Sequence, residues 1–131
     1  MIGVDTNVLV RLAVRDDPKQ SEIAERFFGA RSANDPAFIS LAVLIETVWV
    51  LDRRYRADFD TISRLIRGLL GSGEAVVQAS DVVRRALDFA VETGADFSDA
   101  VLAILGVDSD CDYTVTFDRR AADLPGMRLL E

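Results

Sequence analysis

Apolar residues follow two rhythms along this chain, short unbroken runs and longer stretches at helical three/four spacing, and the two alternate. Residues 1–4 form a short apolar run suited to a buried first strand, and Asn7 to Val14 carries spaced apolar residues of a helix. Asp17-Pro18 reads as an N-cap with proline at the first helical position. It opens a helix with Ile23, Ala24, Phe27 and Phe28 on one face, stopped near Gly29. After the Asn34-Asp35-Pro36 turn, Ala37 to Ile39 is a second strand, and Ser40 caps a helix running to about Arg54.

Phe59, Ile62, Leu65, Ile66, Leu69 and Leu70 define a further amphipathic helix, ended by Gly71-Ser72-Gly73. Ala75 to Gln78 is a short strand. Ser80 introduces a helix with Val82, Val83, Ala86, Leu87 and Ala90 inward, stopped at Gly94, and another helix spans roughly Ser98 to Val107. Tyr113 to Phe117 is the next strand, and the Pro125-Gly126 turn leads into Met127 to Leu130, a short edge strand. Short apolar strands alternating with helices imply an α/β fold around a mostly parallel sheet.

A length of 131 residues fits one domain over 1–131, and half the residues are apolar, enough for a real core. The chain has no histidine, which excludes serine triads and His-bearing zinc sites. Its single cysteine, Cys111, excludes an internal disulfide and fits a reducing compartment. The first residues lack a basic targeting region and no apolar stretch approaches the ~18 residues of a membrane span, so a soluble, cytoplasmic protein without membrane contact is expected. With 22 acidic against 15 basic residues the net charge is −7. Any nucleic acid must therefore be held by a local cationic patch.

The acids carry the candidate chemistry. In open α/β sheets the ligand crevice lies beyond the carboxyl ends of the strands, and Asp5 and Asp118 both follow a strand. Capping of the next turn is an equally good reading of each alone. Glu46 interrupts a helix that is apolar on most sides, so it should be desolvated and either pair with an arginine or bind a cation. Asp96 and Asp99 open a helix, where a capping pair is the ordinary explanation. If these acids converge, each carboxylate pair at ~5 Å and an effective dielectric of ~20 repels by roughly 3 kcal/mol, which calls for a counter-ion. Oxygen ligands without His or Cys favour Mg²⁺, with Mn²⁺ as a substitute. Such a site suits phosphodiester hydrolysis by metal-activated water. On this reading Glu46→Gln raises thermal stability in metal-free buffer.

Val4-Asp5-Thr6-Asn7-Val8-Leu9, Ile45-Glu46-Thr47, Asp96-Phe97-Ser98-Asp99-Ala100 and Thr116-Phe117-Asp118 together resemble the PIN-domain ribonucleases, most closely the VapC-type toxins of type II toxin–antitoxin pairs. The resemblance covers nearly the whole chain. It implies a three-layer α/β sandwich with a central, mostly parallel sheet flanked by helices. It also implies Mg²⁺-dependent endoribonuclease activity with Asp5, Glu46, Asp99 and Asp118 as catalytic, metal-binding acids and Asp96 as an accessory one. Thr6, Asn7 and Thr116 are the supporting residues of these motifs. The partners implied are RNA, a cognate antitoxin and a second copy of the chain.

Arginines near the motifs, Arg11 and Arg15 after the first and Arg119 and Arg120 after the last, are candidates for holding RNA phosphates, as are Arg53, Arg54 and Arg56. Solvated surface or pairing with the abundant aspartates is the plainer reading of each. Trp49, Phe27, Phe28 and the helix from Phe59 to Leu70 are mostly core by default, though a dimer or antitoxin groove would use the same residue types. A receiver-like signalling domain needs a lysine after a late strand, but the only lysine, Lys19, opens a helix. A haloacid-dehalogenase-type phosphatase wants a second aspartate where Asn7 stands. A catalytically inactive PIN-like module kept for protein binding is the remaining alternative.

Overall fold

The computed structural model describes all 131 residues, Met1–Glu131. Strand β1 (Ile2–Gly3) leads into helices α1 (Thr6–Ala13) and α2 (Pro18–Gly29), then β2 (Ala37–Ile39), α3 (Leu41–Arg53), α4 (Phe59–Gly71) and β3 (Ala75–Val77). Helices α5 (Ser80–Thr93) and α6 (Phe97–Asp108), strand β4 (Thr114–Thr116), a 3-10 turn (Ala121–Asp123) and β5 (Met127–Leu129) complete the chain. The 3-10 turn is the one element absent from the sequence reading. The contacts fall into two compact units, Met1–Gln78 and Ala79–Glu131.

In the first unit the strands form a parallel ladder in the order β1-β2-β3, with Ala37 of β2 opposite Ile2 on one side and Ala75 on the other. Helices start where short polar side chains meet orphan N–H groups. Asp17 Oδ1 accepts the Gln20 N–H at 3.0 Å with Pro18 in the first turn, Ser40 Oγ accepts from Val43 N at 3.1 Å, and Asp58 Oδ1 accepts from Thr61 N at 2.8 Å. Leu9, Ile39, Leu44, Leu51 and Ile66 are fully buried and form this unit's core. A polar clamp ties α1 to the segment after α3. Arg11 donates to Asp16 Oδ1 at 2.9 Å, to Gln20 Oε1 at 2.7 Å and to Tyr55 Oη at 3.3 Å, while Tyr55 donates to Asp16 Oδ2 at 3.0 Å.

In the second unit α5 packs extensively on α6, burying Val83, Ala86 and Leu87 from one helix and Ala100 and Val101 from the other. Gly94 ends α5 at φ 74°, a left-handed C-cap open to glycine at little cost. Strands β4 and β5 pair in parallel, with Thr114 opposite Met127. Gly106 of α6 has no room for a side chain, because a Cβ there would run into Thr114 Oγ1 of β4. Gly126, at φ 79°, is likewise pressed against Val107. Every strand pair is parallel, as an α/β fold requires.

Candidate functional site

Asp5 is the residue at which β1 ends and α1 begins. It occupies the N-cap position, yet its carboxylate accepts no hydrogen bond from the helix, so capping does not account for it. The side chain is exposed, Thr6 beside it is buried, and Asn7 is exposed.

Glu46 departs from expectation. It is exposed, with neither an arginine partner nor any other ion pair or hydrogen bond. The run of apolar residues around Glu46 suggests a helix covered on most sides. The helix instead buries Leu44, Thr47, Val48 and Leu51 along one face and leaves the opposite face in solvent. Water solvates the carboxylate, and no desolvation penalty arises. Glu46→Gln is therefore expected to change stability by less than about 0.5 kcal/mol in chelator, within the range of ordinary surface substitutions. Urea denaturation measures this, and a clear stabilisation would restore the case for repulsion at Glu46. Its neighbour Thr47 is buried, and its hydroxyl donates to Val43 O at 2.7 Å.

The second unit brings three acids into mutual electrostatic range. Asp96 caps α6, its Oδ1 accepting the Asp99 N–H at 2.9 Å. Asp118 follows β4 and opens the 3-10 turn, with Oδ1 accepting from Arg120 N at 2.8 Å and Ala121 N at 3.1 Å. Thr116 shapes the same turn by accepting the Asp118 N–H on its Oγ1 at 3.0 Å. Each capping aspartate thus commits one oxygen to the backbone and keeps the other. Asp99, half-buried in the first turn of α6, has no cationic partner. Burial pushes its carboxyl above the usual aspartate range, and the negative charges of Asp96 and Asp118 push it the same way.

This shift has a definite sign in stability. A carboxyl raised in the native state binds its proton more tightly folded than unfolded. Its contribution is complete below the unfolded value of ~3.9 and is lost as pH rises through the raised native value. Asp99→Asn removes the penalty, so in chelator the variant should melt above the parent at neutral pH, and the gap should close as pH falls through that window. A gap independent of pH between neutrality and pH ~4 would show that Asp99 is not the group responsible.

The donor set fits a hard divalent cation: the acids offer oxygen ligands only, with no histidine and one exposed cysteine in the chain, and Asp99 lacks a counter-charge. No group of three or more carboxylates is drawn in tightly enough to enclose a metal ion. Asp96, Asp99 and Asp118 lie together in the second unit, while Asp5 and Glu46 belong to the first.

Two of the arginines read as phosphate contacts are already engaged. Arg11 belongs to the Asp16–Tyr55 clamp, and Arg15 pairs with Glu25. Arg119 and Arg120 are exposed, their guanidinium groups without ion pairs. Trp49 is not a core residue; it is 53% exposed. The clamp was invisible in the sequence because its members are dispersed from Arg11 to Tyr55. A cavity of about 290 Å³ in the second unit is lined mostly by apolar residues, among them Phe89, Ile104, Val107 and Leu124, with Arg85 also in its wall, and contains none of the candidate acids. No helix is long and apolar enough to cross a membrane.

A family model for the PIN domain matches residues 2–127. Among solved structures, the chain is similar to the crystal structure of Mycobacterium tuberculosis VapC20, described as a sarcin-ricin-loop-cleaving toxin. The identity is 21%, 92% of each chain is covered and the TM-score is 0.47. No curated protein gives a significant match.

Proposed function

Because this chain belongs to the PIN-domain family, we propose that it is a Mg²⁺-dependent endoribonuclease, the toxin of a type II toxin–antitoxin pair, acting in the cytoplasm as one domain over residues 1–131. The observation that carries the reading is the family match across nearly the whole chain, with acids at each motif position. The uncompensated negative charge around Asp99 supports it.

Asp5, Glu46, Asp99 and Asp118 are the residues that would hold the metal, with Asp96 accessory to them. Bound there, Mg²⁺ supplies Lewis acidity toward the scissile phosphate and charge neutralisation for a substrate that the acids alone would repel. The chain's own contribution is placement. Asp96 fixes the start of α6 through its cap and so orients Asp99 one turn on. Thr116 and the backbone N–H groups of Arg120 and Ala121 fix Asp118, leaving its second oxygen free. Asp5 and Glu46 keep both oxygens uncommitted. No histidine competes as a general base. On this reading Arg119 and Arg120, exposed beside Asp118, would meet phosphate.

A cognate antitoxin and a second copy of the chain are the protein partners of this reading. The deciding experiment uses antitoxin-free protein on structured RNAs with Mg²⁺, Mn²⁺ or EDTA. Cleavage in both metals and none in EDTA is expected. Absence of cleavage in either metal, by protein that binds antitoxin tightly when it is added back in a separate measurement, would favour a PIN fold kept for protein binding.

A further inference from the structure

Helix α3 exposes a narrow stripe of four residues at spacings of three and four: Ala42, Glu46, Trp49 and Arg53. Trp49 stands near its middle, 53% exposed, its indole N–H unbonded and its ring against no other aromatic ring. An indole left in water at a helix centre is unusual, since tryptophan is among the largest apolar side chains and is mostly buried. One turn beyond it the chain becomes locally cationic. Arg53 touches only Asp52, at 3.7 Å, Arg54 is the C-cap of α3, and Arg56 sits in the left-handed region at φ 49°. Arg54 and Arg56 are exposed and without ion pairs. On a chain of net charge −7, three exposed arginines within four residues, between Asp52 and Asp58, are a local concentration of positive charge.

Charge complementarity selects the occupant. A second copy of this acidic chain needs an apolar interface centre depleted of charge, whereas Trp49 has Glu46 on one side and Asp52 and Arg53 on the other. Single-stranded RNA needs an aromatic face for a base and cations for the flanking phosphates, and the stripe offers both in series. We propose that Trp49, with Arg53, Arg54 and Arg56, is a stacking platform that holds single-stranded RNA along α3, past Glu46. The platform takes its substrate from the ribonuclease reading, but its operation requires no cleavage.

Trp49 is the only tryptophan, so intrinsic fluorescence reports this position alone. The full chain in EDTA is titrated with a short single-stranded oligoadenylate and, separately, with a blunt RNA duplex of equal length. The single strand should quench the emission saturably, shield it from acrylamide and bind less tightly as salt rises; the duplex should do much less. By anisotropy of labelled RNA, Trp49→Ala should weaken binding about ten-fold while Trp49→Phe retains most of it. The combined Arg53→Gln, Arg54→Gln and Arg56→Gln variant should lose about as much again and flatten the salt dependence. Circular dichroism confirms that each variant is folded.

Unchanged fluorescence at RNA concentrations that saturate anisotropy overturns the platform, as does wild-type affinity in Trp49→Ala or equal quenching by the duplex. Shielding that grows with protein concentration in the absence of RNA would assign the stripe to a second copy. If RNA is cut while Trp49 stays silent, the platform fails and the nuclease stands. Single-strand quenching without cleavage in any metal leaves the platform standing and removes the nuclease.

Discussion

Asp99→Asn is expected to yield a protein that is better folded in chelator and no longer cuts RNA. The two effects share one cause. Asp99 is half-buried among like charges with no cation beside it, so its ionised form is disfavoured in the apoprotein; in the proposed enzyme that same anionic field captures the metal. Asparagine keeps the shape and removes the charge. The loss in kcat/KM should be at least ~10²-fold, the scale seen when one group stabilising developing charge is removed from an active site. The melting temperature should respond to metal in the parent and scarcely in the variant. The parent gains on adding Mg²⁺, by about 2.7 kcal/mol at a hundred times Kd, while Asp99→Asn gains little. Cleavage by Asp99→Asn at the parent rate, in a preparation free of contaminating nuclease, would remove Asp99 from the chemistry.

The second large effect lies in the core of the same unit. Leu87 of α5 is wholly buried in the unit where α5 packs on α6, the helix that carries Asp96 and Asp99. Leu87→Ala should cost about 2 to 5 kcal/mol through lost burial and the cavity left behind. That is a large part of the ~5 to 15 kcal/mol available to a domain of ordinary stability. Leu102, on α6 but 56% exposed, provides the matched control. Leu102→Ala should stay within about 0.5 kcal/mol. Urea midpoints at constant m separate the two, and equal losses would mean that side-chain burial does not govern this unit's stability.

The helices were largely legible in the sequence, because their ends are written in local chemistry. Asp17-Pro18, Ser40 and Gly94 mark ends of α2, α3 and α5 as read. Asp96 caps α6, in keeping with the ordinary reading of the Asp96–Asp99 pair. Strand pairing was legible in kind, since short apolar runs between helices imply parallel ladders. The division of the pairing into a three-stranded and a two-stranded ladder depends on distant contacts that no local pattern carries.

The acids were legible as candidates, but their surroundings were not. Glu46 and Trp49 sit in a segment whose composition reads as core, and both are exposed because α3 is covered on one face only. Asp118 can be both a cap and a free ligand because a carboxylate has two oxygens, a distinction spacing cannot make. Arg11 reads as a cation available to phosphate until Tyr55, far along the chain, is seen to engage it.

Gly106 sets local preference against packing within α6. Alanine would favour the helix by about 1 kcal/mol, but its methyl would drive into Thr114. The last turns of α6 therefore lean on the neighbouring strand, whereas the first turn carries its own aspartate cap. The two ends of one helix are held by different means, and the residues proposed for chemistry ride on the capped end.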